Sequence, residues 1–265
     1  MKLTAKRVVL QMLSAVGDQP APASSLVRAC AILGISENNT RVTLARLLAD
    51  GTLEASARGE YRLGGATEAL TREVTGWRDV EKQVRRWDGS WVAAFAGPLG
   101  RSDRGELRRR ERALRLLGFA ELERDLAVRP DNLGELRERL YALGLDRRVI
   151  VFTMSELDAR TDARARKLWD GRALERAYEK TRERLDRWIE REPSMHRDAA
   201  ARESFLLGGE AIRQILFDPR LPEPLVDAAA RRALVDAMKR FDLIGRRIWT
   251  RLFGVAPEAH EAYLQ

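Results

Sequence analysis

Thiol and imidazole chemistry has almost no material in this chain, which contains one cysteine, Cys30, and two histidines, His196 and His260. A single cysteine excludes an intrachain disulfide framework. Its neighbours Leu26, Val27 and Leu33 mark it as a small core residue in a reducing compartment. The histidines stand far apart, with neither a cysteine nor a His-x-x-x-His partner, so no zinc site and no Cys-His nucleophile is signalled. Gly-x-x-x-x-Gly-Lys is absent, as is Gly-x-Gly-x-x-Gly after a strand, which removes support for nucleotide hydrolysis and dinucleotide redox chemistry. The expectation is therefore a protein that is not an enzyme, with no metal and no cofactor. No secretory leader is recognisable, and no apolar run approaches the roughly 18 residues of a membrane span. A cytoplasmic protein away from membranes is expected.

Charge and length are what the chain does have. Its 48 basic residues exceed its 40 acidic ones by eight, which favours an anionic partner such as nucleic acid. The two signs are interspersed, so much of that surface is ion-paired and solvated. With 45% apolar residues over 265 positions, two or three small domains can each bury a core.

Residues 36–50 carry the most specific pattern. Ser36 suits an N-cap, Glu37 complements the positive end of the helix dipole, and Asp50 with Gly51 supplies a stop. At 3.6 residues per turn Thr40, Leu44, Leu47 and Leu48 share one face, while Asn38, Asn39, Val42 and Arg46 point the other way. Asn and Arg bond bidentately to adenine and guanine edges, and Val suits a thymine methyl, so the outward face fits the major groove. From this helix alone, an ordinary surface helix remains an equal alternative.

The surroundings favour DNA. Val8, Val9, Met12, Leu13 and Val16 predict a first helix over 4–16, ended by Gly17 and Asp18 before Pro20 and Pro22. A second helix follows Ser24 and Ser25, and Gly34 makes the short turn into the helix at Ser36. Strands at 52–56 and 60–63 then flank Ala57, Arg58 and Gly59 as a wing, with Arg58 at its tip in reach of a phosphate or the minor groove, or simply solvated. The expected order is a winged helix-turn-helix over 1–65 and a linker helix over 66–89, in which Leu70, Val74, Trp77, Val80 and Val84 recur at three- and four-residue steps.

Beyond it, strands at 90–96, 119–123, 126–129 and 148–154 alternate with helices at 103–117 and 132–144. That β-α-β-β-α-β order predicts a ferredoxin-like domain over 90–156. From 157 to 265 the chain is expected to be an all-α domain, with helices at 160–169, 174–190, 205–217 and 225–253. The fold class is thus α+β. Trp169, Tyr178, Phe205, Phe241 and Trp249 are the aromatics available to an aryl pocket, although core packing is the default for them. Residues 101–112 hold six arginines and three acids. Arg101, Arg104 and Arg108 are candidates for the phosphates of DNA or of a nucleotide-bearing effector, against the alternative of a solvated helix face.

Three segments, in order, resemble the PaaX-type transcriptional repressors. They are residues 34–51 around the helix just described, the middle stretch from Trp87, Asp88, Gly89, Ser90 and Trp91 to Pro130, and residues 217–222, Phe-Asp-Pro-Arg-Leu-Pro. The resemblance implies a repressor of aromatic-acid catabolism genes that binds double-stranded operator DNA as a homodimer and is released by an aryl-CoA effector, typically phenylacetyl-CoA. Carried over, it gives Asn38, Asn39, Arg41 and Arg46 as DNA-reading positions. This chain departs from the pattern in its wing and at 226–230. The middle fold also resembles a CRISPR adaptation nuclease that places a metal-binding aspartate at the end of its first strand, but here Phe95 is followed by Ala96, Gly97 and Pro98. An effector-independent DNA-binding or nucleic-acid-processing protein is the alternative expectation.

Overall fold

The computed structural model describes residues 3–16, 19–65, 76–99 and 103–253 of an α+β chain with two antiparallel sheets. Contacts divide the chain into two compact units. Unit 1 comprises residues 1–78, 185–212 and 239–265; unit 2 comprises residues 79–184 and 213–238. Among the described residues, no helix is long and apolar enough to cross a membrane.

Unit 1 begins with α1 (Ala5–Val16), β1 (Ala21–Pro22), α2 (Ala23–Ile32), α3 (Glu37–Ala49), β2 (Leu53–Ala57) and β3 (Glu60–Leu63). Val8, Val9, Met12 and Leu13 of α1 recur at helical steps and bury one face against Leu26 and Cys30 of α2, Leu44 and Leu47 of α3, and Leu53 of β2. Each such side chain contributes about 1.5–3 kcal/mol when fully buried. The α2–α3 reversal is short because Gly34, at φ 81°, donates its N–H to the Ala31 carbonyl (2.9 Å) while Ile35 donates to Cys30 (2.9 Å). The strands order as β1-β3-β2, with Leu53 opposite Leu63 and Ala21 opposite Tyr61.

Unit 2 contains β4 (Trp91–Phe95), α4 (Arg104–Leu116), β5 (Ala120–Glu123), β6 (Leu126–Pro130), α5 (Leu136–Ala142) and β7 (Ile150–Met154). The sheet order is β5-β6-β4-β7, antiparallel throughout. Alternation along the strands splits its two faces. Val92, Ala94 and Val151 pack with Ala113, Leu117, Leu136 and Leu140 of the two helical segments, while Trp91, Ala93, Leu122 and Val128 pack with Ala165 of α6 (Ala159–Arg166). Helices α7 (Gly171–Arg191), α8 (Arg197–Leu216) and α9 (Ala228–Phe253) each give residues to both units.

Three elements differ from the pattern-based expectation. The linker helix expected over 66–89 falls partly on 66–75, outside the described residues, and of the rest only Gly76–Gln83 is helical, as 3-10 helix. There Val84 forms a bridge to Leu133 and the Arg85 N–H donates to the Asn132 carbonyl (2.7 Å), which takes the chain out of helix. The helix expected from 132 starts only at Leu136, because Glu135 holds φ at 55° and the Asn132 side chain is engaged elsewhere. Helix α8 starts at Arg197, eight residues before the expected Phe205, because Ala200 and Ala201 are buried and continue its inner face.

The Phe-Asp-Pro-Arg-Leu-Pro segment at 217–222 is a polar hub within unit 2. Asp218 is buried; its carboxylate accepts the Tyr178 hydroxyl and the Arg220 N–H (2.7 Å). Burial pushes the Asp218 carboxyl above the usual range, partly opposed by the Tyr178 hydrogen bond and the Arg231 charge. Burial and the adjacent Asp218 charge push the Tyr178 phenol up. Arg231 donates to Glu81 (2.8 Å) and to the Leu221 carbonyl (2.7 Å). The Asn132 amide donates to the Arg220 carbonyl (2.7 Å) and its oxygen accepts from Arg129 (2.7 Å), a guanidinium with no exposed surface. Gly118, at φ 75°, lies so close to Pro219 that an added Cβ would sit 2.6 Å from the Pro219 Cα. Asp218→Ala strips the carboxylate from this cluster and is expected to cost about 3–5 kcal/mol in urea unfolding; a loss below about 1 kcal/mol would mean that the segment is held mainly by apolar contacts.

Candidate nucleic-acid interface

The orientation of α3 is fixed by what it buries. Thr40, Leu44 and Leu47 lie in the core of unit 1, at 3% exposure or less. The Thr40 hydroxyl donates to the Ser36 carbonyl (3.1 Å), which satisfies the polar atom inside that core. Cys30 of α2 also lies against Thr40. Burial pushes its thiol up and the Thr40 contact partly opposes this, so the cysteine is an inert packing residue. At the start of the helix Ser36 Oγ accepts the Asn39 N–H (3.4 Å), and Glu37 adds an acid in the first turn. At its end Asp50 accepts the Thr52 N–H (3.0 Å), and that contact, with the Thr52 hydroxyl, holds the Asp50 carboxyl below the usual carboxylate range. Gly51, at φ 70°, turns the chain into β2.

With that face anchored, Asn38, Asn39, Val42 and Arg46 share the solvent side, and Arg41 stands at its flank. Val42 is 42% exposed, which is notable for a branched apolar side chain on a helix of this length. Among the described residues Arg46 forms no ion pair, whereas Arg41 pairs with Glu37 at 2.7 Å, both ends exposed. Such an i,i+4 pair contributes about 0.3–0.5 kcal/mol, so a phosphate readily displaces Glu37. Arg58 is not on this helix; it is exposed on the β2–β3 turn, next to Gly59 at φ 81°. The Ala23 N–H donates to the Gly59 carbonyl (2.8 Å) and Arg62 pairs with Glu54 across the strands (3.0 Å), so both ends of the hairpin are tied down.

Elsewhere, Arg104 and Arg108 are exposed on α4, while Arg101 lies outside the described residues. Asp103, the next acid in sequence after β4, caps α4 by accepting the Gly105 (2.7 Å) and Glu106 (3.1 Å) N–H groups. Among the described residues no cluster of three His, Cys, Asp or Glu side chains could hold a metal ion. The aromatics proposed for an aryl pocket are engaged in packing or hydrogen bonds. Trp169 stacks on Trp91 and Tyr178 serves the polar hub in unit 2, while in unit 1 Phe241 packs on Trp188 and Phe205 on Trp249. One depression in unit 1 escaped sequence reasoning: Arg28 of α2 lines it with His196, Arg197 and the acid Asp198 at the start of α8. No periodicity could join residues so far apart in the chain.

Two family models match the chain, that of PaaX-like proteins over residues 4–67 and that of the PaaX-like protein C-terminal domain over residues 169–251. The chain belongs to the PaaX-like family. PaaX-like proteins are transcriptional regulators, and the first match covers all of the α1–β3 region of this one. Among solved structures it is similar to the uncharacterized protein Rv0674 from Mycobacterium tuberculosis, at 26% identity and a TM-score of 0.65, over 95% of this chain and 99% of that one. No curated protein matches it. Since the outward face of α3 depends on its cap and anchor, Ser36→Ala in this PaaX-like protein is expected to cost about 1 kcal/mol and to lower the melting temperature. An unchanged melting temperature would show that Thr40 and the leucines hold the helix start without the cap.

Proposed function

We propose that this PaaX-like protein is a sequence-specific transcriptional repressor that reads double-stranded operator DNA with α3. The observation that carries the proposal is the division of α3 into a buried Thr40, Leu44 and Leu47 face and a solvent face of Asn38, Asn39, Val42 and Arg46. Those outward side chains are the ones that distinguish base edges in the major groove, and Arg41 and Arg58 suit flanking phosphates. The order α1-β1-α2-α3-β2-β3 supports a winged helix-turn-helix, and the β5-β6-β4-β7 sheet with two helical crossovers supports a ferredoxin-like unit. The regulated genes are those of aromatic-acid catabolism, the acting form is a cytoplasmic homodimer, and an aryl-CoA thioester such as phenylacetyl-CoA releases the DNA. Release requires that the thioester bind the arrangement that does not hold DNA more tightly than the one that does.

Fluorescence anisotropy with DNA from upstream of the protein's own gene, at fixed salt and with excess competitor, tests the proposal. Tight binding that resists competitor and is reversed by phenylacetyl-CoA is expected. Binding no better than to competitor would sink the repressor, and specific binding indifferent to the thioester would remove the effector. Arg46→Ala is expected to weaken operator binding by about 1–3 kcal/mol while sparing random DNA. An equal loss on both would make Arg46 a phosphate contact. Sedimentation as a monomer at micromolar concentration would remove the dimer.

A further inference from the structure

The exposed arginines of α4 form one stripe. Arg104, Arg108, Arg112 and Arg115 stand at i, i+4, i+8 and i+11, all exposed, and at about 100° per residue they fall within roughly 80° of arc. The stripe lies opposite the buried side of the helix, which carries Arg110, Ala113 and the following Leu117. The other charges of the segment are committed locally: Asp103 caps the helix, Arg109 pairs with Glu106 (2.8 Å), and Arg110 reaches Asp125 (3.7 Å). Among the described residues none of the four stripe arginines forms an ion pair. Glu111 is the only acid of α4 on that face, which leaves it three positive charges in excess. On α7, by contrast, Glu179, Glu183 and Asp186 run beside Lys180, Arg184 and Arg187, so those six charges balance.

Four unpaired guanidinium groups in a row suit a row of phosphates. From Arg104 to Arg115 the helix rises about 16 Å, the axial span of about five phosphates on one DNA strand. Arginine is the side chain whose planar fork fits phosphate oxygens bidentately. We infer that the α4 stripe is a second DNA contact, one that grips the sugar–phosphate backbone without reading sequence. The inference rests on the DNA-binding role proposed above and adds to it a surface on the other unit of the chain. Its physical signature is electrostatic, because each phosphate neutralised adds about 0.9 to the slope of log affinity against log salt.

The test compares the full-length protein with an Arg104→Gln, Arg108→Gln, Arg112→Gln, Arg115→Gln variant on an operator duplex and a scrambled duplex of equal length, over a range of salt. Expected are a salt slope lower by about 3, equal weakening on both duplexes, and an unchanged operator-to-scrambled ratio. Glu111→Gln should move binding the other way, about two- to fivefold tighter on both duplexes, a gain that misfolding cannot imitate. An unchanged slope with operator binding intact would overturn the stripe while leaving the repressor standing. So would a variant that keeps its slope and loses only the response to phenylacetyl-CoA, since the stripe would then serve the effector's phosphates. A wild-type protein that binds neither duplex would overturn both proposals together.

Discussion

A guanidinium fully removed from water constrains unit 2. Taking the Arg129 charge out of solvent costs several kcal/mol after relaxation, and among the described residues no carboxylate is in hydrogen-bond contact with it, although the Asp131 and Asp218 charges act in its favour. Burial, together with the Arg220 and Arg139 charges, pushes its pKa down. What offsets the cost is hydrogen bonding to the carbonyls of Pro130 and Leu117 and to the Asn132 side chain. Those acceptors lie at the end of β6, the end of α4 and the loop that follows β6, so the three must meet around Arg129. Asn132 extends the constraint, because its amide donates to the Arg220 carbonyl and so fixes the Asp-Pro-Arg-Leu-Pro segment beside it. Gly118 and Pro219 then pack at a distance that admits no Cβ, which is why the turn after α4 is a glycine.

This dependence explains which parts of the fold were legible in the sequence. Helices α1, α2 and α3 and the strands of the larger sheet announce themselves, since burial of one face imposes a period that local residues alone reveal. Residues 132–144 misled for the opposite reason. Asn132 has the composition of a cap, but its side chain serves Arg129 and Arg220, and a Cβ at Gly134 would lie 2.3 Å from an Arg85 nitrogen. Likewise Pro219 and Pro222 are residues that favour a turn, but nothing local tells that Asp218 and Arg220 are buried in it. Their partners, Tyr178 and Asn132, are 40 and 88 residues away. Long-range polar pairing leaves no local period to find.

The interface was legible to the same extent. The outward set on α3 follows once Thr40, Leu44 and Leu47 are placed inside, so the helical period alone selected Asn38, Asn39, Val42 and Arg46. The period sets Glu37 four residues before Arg41 and Asp50 four after Arg46; what it could not show is that, among the described residues, only the first pair forms, Asp50 accepting the Thr52 N–H instead. The arginines after residue 100 were visible as a count. What the count could not show is that Arg110 is buried against Asp125, which depends on strand β5 ending where it does, that Arg109 pairs with Glu106, and that the outer stripe carries Glu111 as its one acid.

Preference and affinity for DNA are separable quantities, and the two proposed surfaces divide them. Contacts to base edges discriminate among sequences, whereas contacts to phosphates raise affinity for every sequence alike. With the first on α3 in unit 1 and the second on α4 in unit 2, an effector has two physically distinct ways to empty an operator. Acting on unit 2, it would lower affinity on operator and random DNA together and reduce the salt dependence of what remains. Acting on α3, it would erase the preference and leave the salt dependence largely in place. A thioester carrying several phosphates competes directly with a phosphate-binding stripe but has no means of competing with Asn38 and Arg46 for base edges. For an effector of the proposed kind, release would therefore run through unit 2 and would leave the proposed operator preference of α3 intact.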